Sequence, residues 1–190
     1  MGITEEQVAW IDEADQVLEV LPRSEIRARN LLHRVSATLV FHPDGRLFVQ
    51  QRVATKDVYP SHFDLMVGGT VEAEEDFSAN ACREISEELG VRGVPIYPLL
   101  QHRFQDDQTN NLIHLFACFF DGEPVLQPEE VADGFWATPA EVQEVLTNRP
   151  VCPDSTQGWV LFQQQNGTPQ DLQARIKAGL PSIDCSQWVG

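Results

Sequence analysis

Residues 67–91 read VGGTVEAEEDFSANACREISEELGV, and their reading decides the fold. Phe77, Ala81, Ile85 and Leu89 recur at the spacing of a helix laid against a core, and Gly90 stands where a left-handed residue ends such a helix. Upstream, the run from Phe63 to Val67 enters Gly68-Gly69, so strand, double glycine, acidic loop and helix form one unit. Between Gly69 and Val91 the acids are Glu72, Glu74, Glu75, Asp76, Glu84, Glu87 and Glu88, and the one base is Arg83. At about 100° per residue, Glu84, Glu87 and Glu88 fall within roughly a third of the helix circumference, beside the apolar stripe. Three carboxylates so placed make either a solvated acidic face or an oxygen cluster for a hard divalent cation. Mg²⁺ in particular is held by a few carboxylates together with water and substrate phosphates.

The wider pattern chooses between these. Gly69, Glu75, Arg83, Glu84, Ile85, Glu87, Glu88, Gly90 and Val91 satisfy G-x5-E-x7-R-E-U-x-E-E-x-G-U, with U a bulky aliphatic residue. Chance agreement in one chain is on the order of 10⁻⁷ at ordinary residue frequencies. On these residues the chain resembles the Nudix hydrolase family. The resemblance implies an α/β fold, a mixed β-sheet sandwiched between α-helices. It implies that Glu84, Glu87 and Glu88 bind Mg²⁺ or Mn²⁺, with one of them activating water, and that the Gly69 carbonyl adds a metal oxygen. Arg83, counted with these acids as catalytic, would pair with Glu75 to brace the loop on the helix, and Gly90 would support the box from its end.

A second constellation precedes the box. From Arg23 to Lys56 stand seven bases, Arg23, Arg27, Arg29, Arg34, Arg46, Arg52 and Lys56, against only Glu25 and Asp44. Arg52, after a strand ending in Gln50-Gln51, and Lys56 are the substrate-binding candidates, placed to hold a diphosphate. Arg23, Arg27 and Arg29 read as a solvated helix face, and Glu130 as part of a solvated loop, with the further catalytic or metal-binding Glu that Nudix relatives often carry in this region as the alternative. The stretch L-H-R-V to Q-Q-R-x-x-x-K-x-x-x-P resembles the isopentenyl-diphosphate isomerase branch of the superfamily. That enzyme's loop cysteine and histidine meet Gly68 and Thr70 here, which removes its proton-transfer parts and leaves hydrolysis as the better reading. His33, matching a metal ligand of that branch, reads as structural without its partner histidine. His102, His114, Phe104 and Phe116 are candidates for the substrate side, with strand core the alternative for the two phenylalanines.

Three functions follow for comparison: Mg²⁺-dependent hydrolysis of a P–O–P bond in a nucleoside diphosphate derivative or nucleotide, prenyl-diphosphate isomerisation, and non-catalytic nucleotide or protein binding. The intact box favours the first. Marks of substrate subclasses beyond the box meet Asp106, Asp107 and Gln108, and support none of those subclasses.

Elsewhere, Val8 to Ile11 and Val17 to Leu21 predict an N-terminal hairpin, and a helix from Pro22 carries Glu25 to Leu31. Residues 35–41 and 47–49 flank Pro43-Asp44-Gly45 as a tight hairpin. Leu112 to Phe120 and Gly134 to Trp136 read as strands, Pro139 to Leu146 as a helix capped by Thr138, and Ser155 to Lys177 as one or two helices. The 190 residues, 42% hydrophobic, are read as one Nudix domain, 1–190, with an extension over 1–31, a core over 32–150 and C-terminal helices over 151–190. A charge of −16 and a pI near 4.5 argue against nucleic acid and anionic membranes as partners, leaving a small diphosphate substrate; a homodimer is compatible. Met1-Gly2 opens no leader pattern, and Glu6 stands where N-myristoylation wants Ser or Thr, so a cytoplasmic protein is expected. Cys82, Cys118, Cys152 and Cys185 form no C-x-x-C pair and read as free buried thiols.

Overall fold

The computed structural model describes residues 5–188, so the Met1-Gly2 reading lies outside the described residues. Its sheet is built outward from β3, His33–Phe41. Ala37, Leu39 and Phe41 enter one apolar layer and Val40 another, the alternation of a strand buried on both faces. The strand β8, Asn110–Phe119, runs parallel to it, and β6, Val67–Thr70, pairs antiparallel along Val35 to Thr38. The strand β4, Leu47–Arg52, follows β3 through the predicted turn, where Gly45 takes φ 97°. The two strands share only the Phe41–Leu47 pair before diverging. Beyond it β4 pairs with β9, Val131–Ala137, and β5, Phe63–Asp64.

The run expected as one strand from Phe63 to Val67 therefore divides at Leu65-Met66, with its halves serving different partners. The strand β7, Tyr97–Gln105, was not anticipated and pairs antiparallel with β8. The N-terminal hairpin forms as β1, Gln7–Ile11, and β2, Val17–Pro22, and joins the sheet where Trp10 meets His33. The helix α1, Arg23–Ala28, stops short of Leu31, and Asn30 then takes φ 48°.

The helix α2, Phe77–Leu89, seals one sheet face with Ala81, Cys82, Ile85 and Leu89. The Asp76 carboxylate accepts from the Ser78 and Ala79 amides at its start, and Gly90 closes it at φ 63°. On the other face lie α3 (Pro139–Asn148), α4 (Pro153–Asn166) and α5 (Pro169–Lys177), which bury Val142, Trp159, Phe162 and Leu172. Thr138 and Glu141 form a capping box at the predicted start of α3. The result is the expected mixed sheet between helices.

The cysteine reading needs correction. Cys82 of α2 and Cys185 form a disulfide across 103 residues of sequence, while Cys118 and Cys152 are free and buried. The tail reaches Cys185 because Ile183 and Ile96 exchange backbone hydrogen bonds of 2.8 and 3.0 Å. No helix among the described residues is long and apolar enough to cross a membrane.

Candidate active site

A cleft of about 190 Å³ opens where β3, β6 and α2 meet the segments carrying Arg23, Arg52 and Glu130. Its construction begins with two glycines. A Cβ on Gly68 would stand 2.0 Å from the Ser36 carbonyl oxygen, so β6 approaches β3 too closely for any side chain there. A Cβ on Gly69 would stand 2.5 Å from Glu84 Oε1, so this glycine makes room for a carboxylate.

Asn80 then fixes the loop. The Ser36 hydroxyl donates to Asn80 Oδ1 (2.6 Å), and Asn80 Nδ2 donates to the Thr70 carbonyl (3.1 Å) and to Glu75 Oε2 (2.8 Å). Glu75 accepts the Arg83 fork, with Nε and Nη2 at 3.0 and 3.1 Å, as the resemblance implied. Burial opposes the Glu75 charge, but hydrogen bonds from Arg83 and Asn80 hold its carboxyl below the usual range. Arg83 Nη1 continues to Glu84 (3.1 Å) and Glu87 (3.0 Å). Burial works against the Arg83 cation, and hydrogen bonding to Glu75 followed by the surrounding acids raises its pKa regardless.

Of the three box acids, Glu84 and Glu88 are the covered ones. Glu88 is 4% exposed and accepts from Gln50 Nε2 at 3.1 Å. Burial, then the Glu88 charge, push Glu84 up to about 7; burial also raises Glu88, against Lys56 and Gln50. Glu87 lines the same cleft, but its half-exposed side chain turns to Arg83. Among the described residues no three His, Cys, Asp or Glu side chains are drawn together as a metal cage. The donors nevertheless fit a hard divalent cation: covered carboxylates with raised pKa values, and a glycine whose missing Cβ leaves space at Glu84.

Arg52 and Lys56 both line the cleft. Arg52 Nε and Nη2 donate to the Val58 carbonyl (3.2 and 3.0 Å), and Nη1 lies 3.6 Å from Asp64. Lys56 pairs with Glu130, which is therefore part of the cleft wall rather than a free loop acid. Arg23 and Arg27 also depart from expectation: both face the cleft, one helical turn apart, while Arg29 turns outward to Glu25 and Trp10. A six-residue helix offers too little periodicity to show its inward face, so only Ile26, buried beside them, pointed there. Asp64 and Asp154, which line the cleft, and Asn80, which ties the loop to α2, were missed for want of a sequence pattern. His33 is buried, with Nδ1 2.8 Å from the Leu31 carbonyl, and burial lowers it to about 4, as suits a structural histidine. His102, His114, Phe104 and Phe116 stand outside the cleft lining; Phe116 is core, and His114 stacks on Phe77.

Fold and cleft define a three-layer α/β protein with an acidic helix and arginines in one site. The NUDIX domain family matches residues 31–154, and the chain belongs to the Nudix hydrolase family. It is 39% identical over 160 residues to the Nudix hydrolase PA4841 of Pseudomonas aeruginosa, covering 83% of this chain and 93% of that one. It is 34% identical over 160 residues to the Nudix hydrolase YfcD of Escherichia coli K12, covering 83% and 88%. The crystal structure of DR0079 from Deinococcus radiodurans is similar with a TM-score of 0.67 and 25% identity, covering 78% and 94%.

Proposed function

We propose that this Nudix hydrolase cleaves a P–O–P bond in a nucleoside diphosphate derivative or nucleotide, with Mg²⁺ or Mn²⁺ held by Glu84, Glu87, Glu88 and the Gly69 carbonyl. The observation that carries the reading is the covered pair Glu84 and Glu88 sharing a cleft with Arg52 and Lys56. The cation, when bound, supplies charge neutralisation on the diphosphate and a more acidic water. Arg52 and Lys56 bind and orient the diphosphate, and one of the box carboxylates takes the proton of the attacking water. Arg83 and Glu75 keep the acidic loop and helix in register. The working unit is the whole of 1–190, acting in the cytoplasm on a small molecule, with neither nucleic acid nor membrane as partner.

The scaffold resembles the isopentenyl-diphosphate isomerase branch, yet the structure argues against isomerisation. Position 68 has no space for a cysteine side chain against the Ser36 carbonyl, and the Thr70 hydroxyl accepts from Arg27 at 3.3 Å. A panel of nucleotides and diphosphate metabolites, assayed for phosphate-bearing products with and without Mg²⁺ or Mn²⁺, tests the proposal. Cation-dependent cleavage is expected and isopentenyl diphosphate should return unchanged. Isomerisation, or cation-independent cleavage, would refute it.

The two glycines should separate fold from function. Gly68→Ala forces a methyl against backbone and is expected to destabilise the protein by about 1–3 kcal/mol or more in urea unfolding. Gly69→Ala meets side-chain rather than backbone atoms, the carboxylate end of Glu84, so it should unfold near the wild-type midpoint while losing most turnover. An active, stable Gly68→Ala protein would contradict the packing described.

A further inference from the structure

The cleft contains two cations that the hydrolytic site leaves without a role. Arg23 and Arg27 belong to α1, ahead of the segment 31–154 that matches the family. The Arg27 side chain is only 21% exposed. Its Nη1 donates to Thr109 Oγ1 (3.0 Å) and its Nη2 to Thr70 Oγ1 (3.3 Å), both neutral hydroxyls. Its Nε is buried and donates to no atom among the described residues, and the Asp57 carboxylate stands 3.9 Å away with a half-exposed side chain. Arg23 repeats the pattern: a buried Nε without an acceptor, and exposed acids, Glu6 at 3.2 Å and Asp57 at 4.0 Å, as its ion partners. Burial lowers the Arg27 pKa, Asp57 opposes that, the charges of Arg23 and Arg52 lower it again, and Asp154 across the cleft opposes more weakly.

Crowding cations beside a cleft with incomplete neutralisation is costly in an empty protein and becomes favourable when an anion enters. Guanidinium forks with spare N–H groups match phosphate oxygens in shape as well as charge. We propose that Arg27 and Arg23 form a phosphate subsite beside the Arg52–Lys56 position, so that the preferred substrate carries a phosphoryl group beyond the diphosphate that is cleaved. The inference rests on the reading of the cleft as a diphosphate-hydrolysing site. The extra group is either a third phosphate of a contiguous chain or a separate phosphomonoester on the same molecule.

The test uses the full-length protein in a Glu88→Gln background, which suppresses turnover, with Mg²⁺ and constant ionic strength. Inorganic pyrophosphate and tripolyphosphate are titrated by calorimetry, and inorganic phosphate is titrated into the pyrophosphate-saturated protein. Tripolyphosphate binding about tenfold or more tighter than pyrophosphate identifies a contiguous chain. Phosphate binding beside pyrophosphate, without that preference, identifies a separate phosphomonoester. In either case Arg27→Met should abolish the extra binding and leave pyrophosphate affinity within about twofold, Arg27→Lys should restore part of it, and Arg29→Met should change neither. Arg23→Met, at a more exposed position, gives the same reading if Arg27→Met folds poorly. Equal loss of both anions in these variants would mark the arginines as braces and overturn the subsite. Pyrophosphate binding with no gain for tripolyphosphate or phosphate overturns the subsite alone. No binding of pyrophosphate at all, with no diphosphate compound cleaved by the wild-type protein, overturns the diphosphate reading beneath it.

Discussion

Glu88→Gln is expected to lower turnover by about 10³-fold while leaving the protein as stable as before or more so. Glu88 is 4% exposed, and burial raises its pKa, so its charge is held at a cost to the fold. Glutamine keeps the shape, and its amide oxygen still accepts the Gln50 Nε2 hydrogen bond now made at 3.1 Å. What disappears is the negative charge assigned to the cation. Thermal unfolding without added metal should therefore show an unchanged or raised midpoint, whereas Mg²⁺ should raise that midpoint less than in the wild type. Glu87→Gln should lose nearly as much activity with no change in stability, because its half-exposed carboxylate touches only Arg83. Glu74→Gln, an acid of the same loop outside the fixed box positions, should keep its rate. Full activity in Glu87→Gln or Glu88→Gln, with folding intact, would remove the metal assignment.

How far such roles can be read from sequence depends on whether the contact is local. The helix Phe77–Leu89 and its Gly90 terminus are set by side chains within a few turns of one another, so periodicity and spacing expose them, whereas the Arg83–Glu75 brace was implied by the family resemblance. The packing of β3 against β8 is not local. Its parallel register, Val35 beside Ile113 and Ala37 beside Leu115, spans most of the domain and leaves only two apolar runs in the sequence. The strand β7 was hidden for another reason: Pro98 argues against a central strand, and the register shift between Pro98 and Leu100 interrupts the alternation that the rest of the strand keeps. In the cleft, the box acids carried a pattern, whereas Arg27 and Glu130 became informative only when α1 and the loop before β9 were brought to α2. The arginines show the difference most clearly, since Arg27 in the last turn of α1 and Arg29 at its C-cap are two residues apart and face different surroundings.

Breaking the Cys82–Cys185 disulfide should produce the largest change in stability. The two half-cystines are separated by 103 residues, and closing a loop of that size removes about 4.7 kcal/mol of unfolded-state entropy on the chain-entropy estimate, with about 2–5 kcal/mol typical when a native bridge is removed. Both residues are buried, and the apolar layer around Cys82 includes Ile85, Leu89, Val91 and Ile96 from α2 and its continuation. Once the bridge is open, the segment around Cys185 is held by the Ile183–Ile96 backbone pair and by Ile183 packing on that layer, few contacts to oppose its local release. Reduction, or Cys185→Ala, should lower the thermal midpoint by about 10 °C for a protein of this size, and the variant should no longer respond to reductant. Alkylation after denaturation without reductant should label Cys118 and Cys152 alone, and all four cysteines after reduction. Four labelled thiols before reduction, with a midpoint indifferent to reductant, would show that the bridge does not form. The box provides the internal check: Arg83 follows Cys82 directly, but its partners Glu75, Glu84 and Glu87 lie in the acidic loop and along α2 itself, so the reduced protein should still hydrolyse its substrate below its lowered midpoint.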